Sequence, residues 1–323
     1  MRAALYDRTG PAREVLRVAE IGRPEPGPGE VRVRVSLSGI NPTDWKARGG
    51  AVPRPIDDFQ IPHQDGAGVI DAVGAGVSPD RVGEQVWLYM CAAGRQWGTA
   101  AEWTVVPERH AVALPDGVPA EVAVALGVPA MTAHRCLFAD GPVAGQTILV
   151  AGGAGAVGHF AIELAKHAGA RVVTTVSGPQ KAELAAKAGA DHVVNYRDAD
   201  AADQIRAFAP AVDRVIELAL GPNLQLDLAV LRPHGRIVNY AADGDDPVLP
   251  VRACMSANVT LEFVLLYGLP EAALEQAKLD ITMALADGAL TALPVTRFGL
   301  DDVAAAHEAV ETGTPGKVVV DLA

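Results

Sequence analysis

The chain has 323 residues, of which 50% are hydrophobic and 20% charged, with a formal net charge of −12. This length predicts two domains rather than one core, and the composition is typical of a soluble globular protein. The negative charge repels phosphate backbones and anionic lipids, so we expect neither a nucleic-acid partner nor membrane insertion. The three cysteines form no disulfide framework or zinc knuckle, and the N-terminus lacks a signal peptide, which together favour a cytoplasmic location.

Short strands separated by glycine and proline turns make up the first third of the chain. Residues 31–37 alternate with period two, as a half-buried strand does, and segments 66–74 and 83–88 continue the pattern. This pattern predicts a β-barrel domain over residues 1–122. We expect residues 290–323 to complete it.

Strands and helices alternate from residue 123 onwards. A helix is predicted over residues 123–136, a strand over 147–151 and an amphipathic helix over 156–168, and the alternation continues to residue 240. Such alternation implies right-handed crossovers and a doubly wound parallel sheet with helices on both faces. We therefore predict an α/β nucleotide-binding domain over residues 123–289.

A glycine-rich loop follows the strand at 147–151 and opens the next helix. In this context the G-x-G-x-x-G spacing predicts a dinucleotide site, in which the helix N-terminus binds the pyrophosphate. An ordinary strand-to-helix turn is the alternative. The residues expected to contact the cofactor are Gly152, Gly153, Gly155, Ala156, Val157 and Gly158.

The end of the second strand of this domain indicates which dinucleotide binds. NAD sites usually carry an acidic residue there for the ribose 2′-hydroxyl, but residues 174–178 contain none. Ser177 and Lys181 instead offer donors to a 2′-phosphate, which favours NADPH. Without Ser177 and the absence of an acidic residue, Lys181 would be interpreted as a solvent-exposed helix residue.

Segments 39–44, 66–69, 149–158 and 189–196 resemble the medium-chain dehydrogenase/reductase superfamily, and most closely its quinone oxidoreductase branch, which includes zeta-crystallin. The resemblance extends over nearly the whole chain. It implies a Rossmann domain that binds NADPH and a GroES-like, partly open β-barrel domain. It also implies a homodimer, paired through the apolar strand at 259–266, whose edge would otherwise be unprotected.

The superfamily's alcohol dehydrogenases hold zinc through a cysteine in the first motif and a histidine before the Gly-x-Gly segment. Here the cysteine region reads Ser38 to Asn41, and Gln64 takes the histidine position. Because zinc needs three or four suitable ligands, we expect no metal. His63 and Asp65 form a possible ligand pair and leave a metal as the alternative.

Without a Lewis acid, the acceptor itself must delocalise the charge that arrives with the hydride. We therefore expect a quinone or another conjugated carbonyl, reduced in a pocket between the domains at the carboxyl ends of the strands. Asn41 is the predicted polar contact to nicotinamide or acceptor, although an Asn before Pro42 can serve only a turn.

Further site residues are predicted from their positions in the sequence. Trp45, Phe59, Gln64 and Tyr267 are candidate substrate contacts, although the first two can belong to the barrel core. His63, Asp44, Tyr267 or solvent could supply a proton. The resemblance also places Tyr196 at the 2′-phosphate, Asn239 beside the nicotinamide half and Lys317 in the tail segment that reaches the cofactor.

Two other functions remain open from the sequence. An enoyl-thioester or alkenal reductase would share the same glycine loop and the same missing zinc ligands, because acceptor choice depends on a few pocket side chains. A non-catalytic crystallin-like or RNA-binding protein is the second alternative. The acidic charge disfavours it.

Overall fold

The structure is a computed structural model that describes residues 1–52, 55–242 and 246–323. The chain divides into two compact units. One contains Met1–Val128 and Ala292–Ala323, and the other is Pro129–Thr291. The division predicted from sequence, at 122/123 and 289/290, falls a few residues earlier at both crossings.

The described strands are, in chain order, β1 (Arg2–Leu5), β2 (Arg17–Glu20), β3 (Glu30–Ile40), β4 (Asp65–Val73), β5 (Gln85–Leu88), β6 (Trp103–Pro107), β7 (Ala111–Ala113), β8 (Thr147–Ala151), β9 (Arg171–Val176), β10 (His192–Asn195), β11 (Val212–Glu217), β12 (Leu231–Asn239), β13 (Thr260–Phe263), β14 (Val295–Gly299) and β15 (Lys317–Asp321). The described α-helices are α1 (Ala12–Val15), α2 (Pro42–Gly49), α3 (Ala120–Ala123), α4 (Met131–Phe138), α5 (Ala156–His167), α6 (Pro179–Lys187), α7 (Ala201–Phe208), α8 (Leu220–Val230), α9 (Val251–Ala257), α10 (Glu271–Ala286) and α11 (Val303–Glu311).

The first unit is built on a mixed sheet of seven described strands. Their order is β14–β15–β3–β4–β5–β7, with β6 also paired to β3. Val31, Val33 and Val35 of β3 are buried at every second position, which explains the period-two pattern. The late strand β15 pairs antiparallel with β3, with Val318 opposite Ile40, so the C-terminal segment completes this sheet.

The second unit contains six described parallel strands in the order β10–β9–β8–β11–β12–β13. The strand order reverses direction between β8 and β11, which is where doubly wound folds bind their ligands. All five residues of β8 are buried, as expected for a strand covered on both faces.

The single helix predicted over residues 123–136 is confirmed only in its second half, which α4 covers. Instead, α3 ends at Ala123, a π-helical turn spans Leu126–Ala130, and α4 begins at Met131. Pro129 lies inside this turn and has no N–H to donate, so a regular helix cannot run through it. None of the described helices is both long and apolar enough to cross a bilayer.

Candidate active site

The glycine loop connects β8 to α5 in the middle of the parallel sheet. Gly152 has φ 68°, a backbone conformation that favours glycine. A Cβ on Gly158 would lie 2.3 Å from the Gly152 carbonyl oxygen, so α5 can approach the loop this closely only without a side chain. α5 begins at Ala156, directly after Gly155. Its first N–H groups and positive dipole end therefore offer a site that fits a pyrophosphate.

Ser177 and Tyr196 follow the carboxyl ends of β9 and β10, and Lys181 lies on the helix that follows β9. Tyr196 follows β10, and its N–H donates to the Val176 carbonyl at 3.1 Å, which places it beside Ser177. Lys181 lies in the first turn of α6. The guanidinium of Arg197 lies 5.8 Å from the centre of the Tyr196 ring. The sequence analysis did not predict this positive charge as part of the site. The set fits a 2′-phosphate group.

Asn239 ends β12 on the same carboxyl edge of the sheet. Its Nδ2 donates to the Ala241 carbonyl at 2.8 Å, whereas its buried Oδ1 has no hydrogen-bond partner among the described residues. This oxygen is suited to accept an N–H from a ligand, because a buried acceptor without a partner carries a desolvation cost. Tyr267 is half-buried and lies beyond the edge strand β13.

Asn41, Asp65 and Lys317 form a buried hydrogen-bonded cluster in the first unit. Lys317 Nζ donates to Asn41 Oδ1 at 2.7 Å and to Asp65 Oδ2 at 3.1 Å, and Asn41 Nδ2 donates to the same Asp65 oxygen at 2.7 Å. The Val128 N–H donates to Asp65 Oδ1 at 2.8 Å. Asn41 also precedes α2, where its N–H binds Asp44 Oδ2 at 2.7 Å. Asn41 therefore has a fixed orientation beyond its role in the turn.

The positions that the resemblance assigns to zinc ligands, and their neighbours, carry side chains that are engaged in other contacts. Gln64 Oε1 accepts the Ala92 N–H at 3.1 Å, and the charge of Asp65 is balanced by the ammonium of Lys317. His63 is bound elsewhere and does not pair with Asp65. Among residues 1–52, 55–242 and 246–323, no group of three or more His, Cys, Asp or Glu side chains could hold a metal ion.

His63 is fully buried in a histidine pair. Its Nδ1 lies 2.7 Å from Ser38 Oγ, and its Nε2 lies 3.0 Å from Nε2 of His307 on α11. Burial lowers the pKa of His63 well below its usual value and, together with the charge of Arg48, lowers the pKa of His307 to about 3. Both imidazoles are therefore neutral at pH 7, and His63 is poorly placed to supply a proton.

This histidine pair should make the protein less stable in mild acid. Below about pH 6.5 the unfolded chain protonates these imidazoles while the folded chain does not, down to about pH 3 for His307. The free energy of unfolding should fall by up to about 1.4 kcal/mol per pH unit for each histidine. Denaturant titrations should show a shallower pH dependence for His307→Leu than for the wild type. Equal slopes for the two proteins would contradict the assignment.

The predicted acceptor contacts of the first unit lie in different surroundings. Phe59 packs edge-on against Trp97, with ring centres 5.8 Å apart, and both are partly buried and pack against a core cluster that contains Ile61. Gln64 lines a small pocket of the first unit together with Asp44. Trp45 is half-buried on α2, close to Asn41. The position of Phe59 supports the alternative that it is a core residue.

Gly39 is a site residue that the sequence prediction missed, and Asp65, which was considered only as a possible metal ligand, is instead paired with Lys317. A Cβ on Gly39 would lie 2.7 Å from Lys317 Cε and 2.6 Å from the Val124 carbonyl oxygen. Glycine at this position therefore makes room for the lysine chain. The carboxyl group next to Gln64 was visible in the sequence, but its burial and its pairing with Lys317 were not.

Comparisons with known protein families agree with this architecture. The model for the alcohol dehydrogenase GroES-like domain matches residues 27–116, and that for the zinc-binding dehydrogenase matches residues 156–280. Together with the Rossmann sheet and its glycine loop, these matches define a two-domain dehydrogenase or reductase of the NAD(P)-binding type. The predicted fold class is confirmed.

Individual relatives cover almost the entire chain. A quinone oxidoreductase of Homo sapiens is 28% identical over 330 residues, spanning 100% of this chain and 98% of that protein. A 2-haloacrylate reductase of a Burkholderia species is 30% identical, over 95% and 94% of the two chains. A mycobacterial protein solved with NADPH superposes with a TM-score of 0.85 at 30% identity, over 99% of each chain. The chain belongs to the medium-chain dehydrogenase/reductase superfamily, in its zeta-crystallin-like quinone oxidoreductase branch.

Proposed function

We propose that this protein is an NADPH-dependent reductase that transfers a hydride to a quinone or another conjugated carbonyl without a metal. The observation that carries the proposal is the Asn41–Asp65–Lys317 cluster. Asn41 and Asp65 lie at or beside the positions that the resemblance assigns to zinc ligands, and both are hydrogen-bonded to the ammonium of Lys317 instead. The human and Burkholderia relatives, named for quinone and haloacrylate reduction, support the same chemistry.

NADPH, when bound, supplies the hydride from its nicotinamide ring. The glycine loop would hold the pyrophosphate, and Asn239 Oδ1 would accept a hydrogen bond from the nicotinamide half. Asn41 is the proposed donor to the acceptor oxygen, because an amide nitrogen carries two protons and Asp65 takes only one. Lys317 holds Asn41 in orientation and is therefore a positioning residue.

We expect Lys181 to determine the preference for NADPH over NADH. Lys181→Glu places a carboxylate in the first turn of α6, where it repels a 2′-phosphate but can accept from a ribose hydroxyl. The KM for NADPH should rise at least about tenfold, since one lost charge-assisted bond costs about 1.5–3 kcal/mol, while the KM for NADH changes little. Lys187→Glu, at the other end of the same helix, is the matched control. Equal effects of Lys181→Glu on both cofactors would contradict the 2′-phosphate role.

The acceptor class is tested by turnover with NADPH. We expect benzoquinones and enones to be reduced by protein that contains no stoichiometric zinc in elemental analysis. An alkenal or enoyl-thioester reductase is the second candidate, which the haloacrylate-reducing relative favours. Turnover of a crotonyl thioester with no quinone turnover above background would select it. No NADPH oxidation with any acceptor would reject both.

A homodimer is proposed from the second unit. β13 is the outermost strand of the described parallel sheet, and Phe263 at its end is 68% exposed. Leu265 and Met255 nearby are exposed as well. An apolar, uncovered strand edge favours pairing with a second copy. Sedimentation should give twice the chain mass, and Phe263→Lys should give a monomer; a monomeric wild type at micromolar concentration would reject the dimer.

We also propose a cytoplasmic location and no nucleic-acid partner. The net charge of −12 opposes binding to phosphate backbones. Cys91 and Cys136 are buried free thiols, whose pKa values burial raises, so they are compatible with a reducing compartment.

A further inference from the structure

Glu217 and Asp227 form a pair of buried carboxyl groups in the second unit. Glu217 ends β11 and is 0% exposed, and Asp227 lies on α8 and is 1% exposed. Glu217 Oε1 accepts the backbone N–H groups of Leu218 at 2.7 Å and Ala219 at 2.5 Å, as well as Asn223 Nδ2 at 3.0 Å. The second oxygen of Glu217 and Asp227 Oδ2 have no donor among the described residues.

One shared proton explains the two oxygens that lack a donor. Asn223, whose Nδ2 donates to Glu217, lies one turn before Asp227 on α8, so the two carboxyl groups are neighbours. As two carboxylates they would repel each other and leave both oxygens unsatisfied. All three N–H donors bind Oε1 of Glu217 and leave its other oxygen open to a donor, so we place the shared proton on Asp227. Burial, followed by the charge of Glu217, raises the pKa of Asp227 well above its usual value, in agreement with this assignment. The protonated Asp227 then donates to Glu217.

The turn held by Glu217 contacts the glycine loop. Leu218 lies directly against Gly152, because a Cβ on Gly152 would be only 2.5 Å from Leu218 Cδ2. β11 and β8 are adjacent parallel strands, so this turn and the glycine loop both follow the carboxyl edge of the sheet. The position of Leu218 therefore depends on Glu217, and the position of Glu217 depends on the proton of Asp227.

We infer that Asp227 is a positioning residue for the dinucleotide: by donating a proton to Glu217, it fixes the Leu218–Ala219 turn against the glycine loop that binds the cofactor. Asp227 contacts Glu217 rather than the cofactor. The inference rests on the proposed NADPH-binding function and adds a residue on α8 to it.

Calorimetric titration with NADPH tests the inference without any turnover. Asp227→Ala should raise the Kd at least about tenfold, because Glu217 loses a charge-assisted hydrogen bond. Asp227→Asn keeps an N–H donor toward Glu217 and should stay within about twofold of the wild type. Leu224→Ala removes a buried side chain from the same helix but leaves the carboxyl pair intact, so it controls for general destabilisation. It should leave the Kd unchanged.

The outcomes separate the two proposals. A wild type that does not bind NADPH refutes the cofactor function itself. A wild type that binds, with an unchanged Kd in Asp227→Ala or an equal increase in Leu224→Ala, overturns the role of Asp227. Should Asp227→Ala fail to fold, infrared spectroscopy of the wild type at pH 7 decides instead. It should show the band of a protonated buried carboxyl that disappears in Asp227→Asn, and absence of this band also overturns the inference.

Discussion

Replacing Lys317 with methionine should lower the free energy of unfolding by about 3–5 kcal/mol, because Asp65 would keep a buried charge without its ion-pair partner. The side chains of Lys317 and Asp65 are 2% and 0% exposed, so solvent cannot compensate. Denaturant unfolding of the purified variant measures the loss. Asn41 would also lose the donor to its amide oxygen, so acceptor reduction should fall with stability.

Two further variants make this prediction specific. Lys166→Met breaks the ion pair with Asp191, in which both side chains are 33% exposed, and should cost less than about 1 kcal/mol. The double variant Lys317→Met with Asp65→Asn removes both buried charges and should recover much of the stability. A Lys317→Met variant as stable as Lys166→Met would show that the buried pair is not important for stability.

Gly158→Ala should abolish measurable NADPH binding and destabilise the second unit. The added methyl would lie 2.3 Å from the Gly152 carbonyl oxygen and 2.8 Å from Gly153 Cα. These are backbone atoms, so α5 must move away from the glycine loop. The N–H groups at the start of α5, which form the proposed pyrophosphate site, would then move as well. We expect a stability loss of about 3 kcal/mol or more, at the upper end for overpacking. Thermal unfolding and calorimetric titration measure the two effects.

Gly155→Ala provides the matched control in the same loop. Its added Cβ would meet only the Gly152 carbonyl oxygen, at 3.3 Å, and Gly155 has an ordinary φ of −79°. Its stability should change by less than about 1 kcal/mol. Equal stability losses in the two variants would refute the close packing of α5 as the reason for glycine at position 158.

The second unit was predictable from the sequence because its signals are local. Each strand and the helix that follows it adjoin in the chain, so hydrophobic periodicity and the glycine spacing together indicate the parallel sheet. The π-helical turn at Leu126–Ala130 was missed, since apolar periodicity on both sides of Pro129 suggested one continuous helix. The Glu217–Asp227 pair was also missed, because neither carboxyl group is part of a recognisable motif.

The cluster around Asn41 could not be predicted, because its members are distant in sequence. Lys317 and Asn41 are 276 residues apart, and the pairing of β15 with β3 brings them together. Period-two alternation indicates that a strand forms but does not specify its partner. A lysine at the start of a strand is more often exposed, and nothing near residue 317 signals a buried carboxylate 252 residues earlier. The contact between His63 and His307 is hidden for the same reason.

The place of β15 in the first sheet has a consequence for the order of events during synthesis. The second unit is one continuous segment, Pro129–Thr291, and can fold as soon as that segment has left the ribosome. Asp65 is translated early, yet its counter-ion arrives only with residue 317. Part of the β3 edge in the nascent barrel must therefore remain unpaired until β15 has been made. Chains in which β15 has not yet been made are therefore the most prone to aggregate and to bind chaperones.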